Sequence, residues 1–321
     1  MDRRKFLEYL RGAAGAAALT PFIHSASKTY TFEDQQAGKT LKNAKGETVL
    51  SYLIRKPDRV PLAGNSVCCF HPINTLAGER VTDIAPADHR DHRGLFFAWD
   101  DMTFHRKGGD VKADFWGWGR FAPTDARVIE NRSLKLVQAD TDGAEIAIRN
   151  DWIINGQKVL DEATTAIVRD FPDVRVLDTV WHFRSDSDFT INRCAFTGFC
   201  LRCRKDGDYY ISDRNGRVTL PDPSPLHPDS DWPPRDWYSH TIRVTDSGKT
   251  VAAAVLDHPL NPKSLWHEPH GVAFLNPCIA ATASVSVAAG EAFVLRYRVV
   301  LHDGEFAIGL LDRLTEEWRG N

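Results

Sequence analysis

No stretch of this 321-residue chain is apolar for the roughly 20 residues that a membrane-spanning helix requires. An integral span in the body of the protein is therefore not expected. A basic tract is missing too. The formal net charge is −3, which argues against a nucleic-acid partner. Gly/Ser linkers, low-complexity tracts and short repeats are absent, so nothing marks an internal domain boundary. There is no phosphate-cradling glycine loop, no serine nucleophile elbow and no dinucleotide fingerprint. Those absences remove the commonest nucleotide-dependent and serine-hydrolase readings.

What is present begins with an export-like start. Asp2-Arg3-Arg4-Lys5-Phe6-Leu7 pairs two arginines ahead of Phe-Leu, and a short Ala/Gly-rich run follows from Gly12 to Leu19. Ser25-Ala26-Ser27 then supplies small residues suited to cleavage. Charged start, apolar run and small-residue end are the parts of a signal peptide, and the arginine pair fits the twin-arginine route. An amphipathic N-terminal helix or an uncleaved anchor is the alternative. The expectation is a twin-arginine-type signal over residues 1–27, which takes His24 with it. A single domain over residues 28–321, periplasmic or otherwise exported, would remain. Residues 1–27 carry a net +2, so that domain would hold about −5.

The domain reads as strands. Thr48–Ile54, Ala144–Arg149, Val174–Arg184 and Val294–Val300 are β-branched and aromatic, most of them alternating at period two. Asp142-Gly143, Asn155-Gly156, Asp206-Gly207, Asn215-Gly216 and Ser247-Gly248 suit tight hairpins. The expected fold is all-β: a large antiparallel β-sandwich. One helix is expected at the C-terminus, where Phe306, Leu310, Leu311, Leu314 and Trp318 form an apolar stripe to cover a sheet edge or end. Cys68, Cys69, Cys194, Cys200, Cys203 and Cys278 are read as buried thiols. Disulfides would be permitted outside the cytoplasm, but a domain this large does not need them. Cys200-Leu201-Arg202-Cys203 has half of a zinc-knuckle spacing and lacks the second half.

Three Pro-marked segments break the strand rhythm. Leu220–Ser239 carries six prolines with Trp232 and Trp237, and reads as an ordered flap. Asp83-Ile84-Ala85-Pro86-Ala87-Asp88-His89-Arg90-Asp91-His92-Arg93 packs two histidines among charges, directly before the apolar run Leu95–Trp99. Leu256–Gly271 gathers His258, Trp266, His267 and His270. Two such loops could meet at one end of a sandwich. A polyhydroxylated ligand needs Asp, Arg and His as hydrogen-bond partners and aromatic rings under its C–H faces. Trp116, Trp118, Trp232, Trp237 and Trp266 are the candidate rings. Imidazole near its working pH suits proton transfer at a sugar carbon. The same His-x-x-His spacings are open to a divalent metal, and equally to turn-capping histidines.

His71-Pro72, Val81-Thr82-Asp83, Asp88-His89 with His92-Arg93-Gly94-Leu95-Phe96-Phe97-Ala98-Trp99, and Asp114-Phe115-Trp116-Gly117 resemble the bacterial PmoA family. So do Asp257-His258-Pro259-Leu260-Asn261-Pro262, Trp266-His267, Asn276-Pro277 and Leu295–Gly304. The resemblance runs from about Tyr30 to Asp312. The family borrows its label from a multi-span methane-oxygenase subunit, and a chain without such spans does not take that label literally. The resemblance implies a large β-sandwich, in the manner of the galactose-mutarotase supersandwich, and a role in sugar metabolism. Where the family block reads Asp-His-Pro-His-His-Arg-Gly, this chain has Arg90 and Asp91 in place of Pro and the first paired His. One potential ligand is thereby lost, which weighs against metal.

The reading that results is an exported carbohydrate-active protein. It is expected to be an enzyme of epimerase, lyase or glycoside-hydrolase type, acting on a sugar or oxidised sugar by His/Asp acid–base chemistry. His89, His92 and His267 are the expected catalytic residues. Asp88 and Arg93 position the substrate, Trp116 and Trp266 stack on it, and His258 closes the pocket. His71 and Asp114, drawn in by the resemblance, complete the substrate-binding set. The sequence assigns no cofactor with certainty, and a divalent metal stays open. The alternatives are a non-catalytic carbohydrate-binding protein and a metal-dependent oxygenase.

Overall fold

The computed structural model describes residues 29–63, 66–117, 126–218, 232–267 and 271–320. The expected signal segment, Trp118, His270 and most of the Pro-rich flap lie outside those residues.

The described chain is an antiparallel sandwich. One sheet has eight strands in the order β1 (Thr31–Gln35), β2 (Gly38–Lys42), β3 (Thr48–Leu53), β4 (Cys69–Ile73), β5 (Leu95–Ala98), β13 (Gly198–Arg202), β19 (Phe274–Cys278) and β18 (Leu265–His267). The other has nine: β15 (Gly216–Arg217), β14 (Gly207–Asp213), β16 (Trp237–Val244), β17 (Thr250–Asp257), β21 (Phe293–Asp303), β11 (Val174–Arg184), β10 (Gln157–Asp170), β9 (Gly143–Ile154) and β8 (Arg127–Ala139). A four-stranded sheet, β20 (Val285–Val287), β12 (Phe189–Ile191), β6 (Met102–Phe104) and β7 (Val111–Ala113), completes the β structure. The alternating run Val174–Arg184 is the whole of β11. Asn155 and Gly156 both take positive φ, 50° and 78°, between paired Ile154 and Gln157, as a two-residue hairpin turn requires. Asp206-Gly207 is not such a turn. Gly207 opens β14, where a Cβ would meet the Arg243 carbonyl at 2.1 Å.

Strand alternation sorts the core. Phe97 on β5 meets Trp181, Phe183 and Tyr297 of the nine-stranded sheet, and Phe199 on β13 stacks on Tyr297 at 4.2 Å. Phe96 and its partner Cys200 therefore face the other way. That opposite face of the eight-stranded sheet carries the charged segment. All six cysteines are buried, and none forms a disulfide. The helix α1 (Leu310–Arg319) does not cover an edge. It buries Leu311 and Trp318 on the outer face of the nine-stranded sheet, against Val176, Ala254, Leu256 and Val300. None of the helices described is long and apolar enough to cross a membrane.

Candidate functional site

The connection from β4 to β5 folds back onto the end of β13. Asp83 N–H donates to the Arg202 carbonyl, Arg202 N–H to Gly94, and Gly94 N–H to Asp83. Gly94 has φ 65°, and a Cβ there would sit 2.3 Å from the Phe70 carbonyl, so only glycine permits this approach. The Pro86–Arg93 turn is thereby held over the outer face of β5 and β13.

Arg202 organises what lies beneath that turn. Its side chain is fully buried, and such a charge requires partners. Nη2 donates to both oxygens of Asp88, at 3.0 and 3.1 Å. Nη1 donates to Nδ1 of His92 at 3.2 Å. Lys205 Nζ reaches Asp88 Oδ2 at 2.7 Å and the Gly271 carbonyl at 3.0 Å. Burial works to raise the Asp88 pKa, but Lys205 and Arg202 win and hold the carboxyl well below the usual range. Asp88 is thus a fixed anion at neutral pH, with about a quarter of its side chain exposed.

His92 is 4% exposed. Burial, with Arg202 and His89 adding to it, pushes its pKa well down. A guanidinium can only donate, so Nδ1 must keep its lone pair and the ring proton sits on Nε2. Nε2 lies 3.8 Å from Asp91 Oδ2, which accepts from Trp116 Nε1 at 2.6 Å. The ring is sandwiched between His89 at 4.6 Å and Phe274 at 4.7 Å, both nearly parallel to it. His89, 27% exposed in its side chain, is the imidazole that reaches solvent, and its Nδ1 is 3.5 Å from Asp88 Oδ2. His267 joins the same aromatic floor, 5.4 Å from Phe196 and 6.3 Å from Phe274.

The remaining expected residues serve other ends. His92 is not an accessible acid or base, because its faces and Nδ1 are occupied. Arg93 offers no exposed group to a ligand. It is fully buried, donates to the carbonyls of Asp91, Trp116 and Phe115, and lies 4.2 Å over the Phe96 ring. Trp116 and Trp266 are 0% and 1% exposed and offer no stacking face. Trp266 packs on Tyr238, and its backbone pairs with Trp232. Asp114 is buried and accepts the backbone N–H groups of Trp116 and Gly117, so it shapes a turn. His71 bonds Thr82 Oγ1 at 3.0 Å, and burial with Arg80 nearby pushes its pKa down to about 3. His258 does not close this pocket. Its ring meets Trp318 of α1 at 4.7 Å, beside a cleft of about 270 Å³ shared with Asp257, Asp236 and Lys263.

Arg202, Lys205, Phe274 and His240 were missed from the sequence. His240 on β16 is buried, and burial with the charge of Arg202 pushes its pKa down to about 3. One signal for Arg202 was available: a lone charge in the otherwise apolar run Gly198–Cys203. Among the described residues no group of three or more His, Cys, Asp or Glu side chains is placed to hold a metal ion.

A model of a family of unknown function, DUF6807, matches residues 40–316. No curated protein matches the sequence. Similar solved structures include the GH36 α-galactosidase AgaA from Geobacillus stearothermophilus, at 8% identity and a TM-score of 0.42, covering 87% of this chain and 40% of that one. A galactose mutarotase related enzyme from Lactobacillus acidophilus is 9% identical with a TM-score of 0.36, covering 86% of this chain and all of its own. A galactose mutarotase-like protein from Lactobacillus casei gives the same identity and score, over 85% of this chain and 100% of that one. Likenesses this distant do not bear on activity.

Proposed function

This chain belongs to the DUF6807 family, whose function is unknown, and we propose that it acts on a sugar or sugar-derived small molecule by acid–base chemistry at His89. One observation carries the reading: a solvent-reaching imidazole sits between an anion clamped by Arg202 and Lys205 and a neutral, tautomerically fixed histidine. His89 takes a proton from, or returns one to, a ligand hydroxyl or carbon. Asp88 orients the ring and stabilises the imidazolium formed, while Arg202 and His92 are positioning residues. Carboxylate, imidazole and ammonium at one mouth are the partners a polyhydroxylated ligand needs, and the PmoA resemblance supports the sugar context. The paired arginines and the Ala/Gly run of the N-terminus support export. The binding-module alternative needs the tryptophans as stacking platforms; Trp116, Trp232, Trp237 and Trp266 are buried, and Trp118 lies outside the described residues.

The test is proton NMR in D2O with a panel of monosaccharides, glycosides, and their keto and acid derivatives. Solvent-deuterium incorporation or product formation that His89→Ala abolishes is expected. Activity that survives His89→Ala overturns the residue assignment, and a panel that neither binds nor reacts overturns the sugar reading.

A further inference from the structure

The mouth of this site has more positive than negative charge. Among the described residues, Lys205 at the rim and the buried Arg202 beneath it both meet one carboxylate, Asp88. The segment's other acid, Asp91, is buried on Trp116 close to Arg93, and it does not face the mouth. Neither His92 nor His240 adds charge at neutral pH, because burial and Arg202 keep both rings neutral. Donors also exceed acceptors. Lys205 uses two of its three N–H groups, on Asp88 and Gly271, with a third of the side chain exposed. The buried Nε of Arg202 has no hydrogen-bond acceptor among the described residues. A cationic mouth on a chain with a formal charge of −3 is a local feature and does not follow from composition.

Resting on the sugar reading above, we propose that the ligand of this site is an acid sugar, of the uronic or aldonic class, whose carboxylate is held at Lys205. One ammonium and a neighbouring guanidinium match a monoanion. A phosphate dianion is normally cradled by a helix N-terminus or a nest of backbone N–H groups. The hydroxyls of the same ligand then lie toward His89 and Asp88.

Calorimetric titration of the whole chain with glucuronate, gluconate, glucose and glucose 6-phosphate tests this. The acids are expected to bind at least ~10-fold more tightly than glucose at low salt, with the advantage shrinking as salt rises. Lys205→Met should remove that advantage, and Lys205→Arg should restore most of it. Equal binding of glucose and the acids, a preference for the phosphate, or an advantage that survives Lys205→Met overturns the proposal while leaving the sugar reading in place. Failure of every panel member to bind removes both.

Discussion

Two loops of this protein read alike and fold to different ends. Asp83–Arg93 and Asp257–Ser264 both mix histidine, proline and carboxylate. The first lies over β13, where a buried arginine fixes Asp88 and leaves His89 in reach of solvent. The second is turned inward on itself. Asp257 accepts from Asn261 at 2.7 Å and Ser264 at 2.6 Å, and His258 packs on Trp318 of the helix. Similar residue types in sequence thus become a solvent-facing imidazole beside a clamped carboxylate in one place and a structural knot in the other. What separates them is the neighbour each meets, a cation in one case and an aromatic helix face in the other.

The comparison is sharpest at the histidines. His89→Ala should lower turnover of the true ligand by ~10²-fold or more, with Tm within about 2 °C of wild type. His258→Ala should leave turnover unchanged, and a matched loss in both variants would erase the distinction. Next in size is Trp318→Ala. Removing this buried ring from the helix cluster should cost about 3 kcal/mol by urea unfolding while ligand affinity at the Asp88 mouth holds. Arg202→Met should cost about 2 kcal/mol and weaken ligand binding together, because Asp88 and His92 lose their shared donor.

The smallest effect has opposite signs in the two loops. Burial, with Asp236 adding to it, raises Asp257 to about 6 despite the opposing bonds from Ser264 and Asn261. Its contribution is therefore fully present below pH about 4 and lost as pH rises through about 6. Asp88, held low by Lys205 and Arg202 against the effect of burial, contributes above pH about 4 and loses that contribution as pH falls further. Denaturant unfolding across pH should show Asp257→Asn gaining steadily on wild type as pH rises from ~4 to ~7. Asp88→Asn should be the less stable protein at neutral pH, with the deficit closing in acid. Parallel profiles would show that the two carboxylates share one environment.

Much of the frame was legible. The period-two run at Val174–Arg184 and the Asn155-Gly156 turn are local signals, and local chemistry decided both. Asp88, His89 and His267 were legible as site candidates from charge and imidazole density alone. The roles of Trp116, Trp266 and Arg93 were not. A tryptophan or arginine has the same letter whether it faces ligand or core, and only packing shows that all three are buried. Arg202 was hidden in a motif read for its sulfurs, although a charge inside an apolar strand must find a partner. The C-terminal stripe gave the helix correctly but not its seat, because amphipathicity shows that a face is buried without showing against what.

By itself, the sequence determined strands, turns, the C-terminal helix and the absence of nucleotide-binding motifs, since each depends on residues a few positions apart. Tertiary structure alone decided which charges meet. Arg202 and Asp88 are separated by 114 residues, and sheet order brings them together. Likewise, His258 and His267 are near neighbours in sequence, yet one ends under the helix and the other beside Phe274. Burial and long-range pairing are properties of the closed sandwich. No window of sequence contains them.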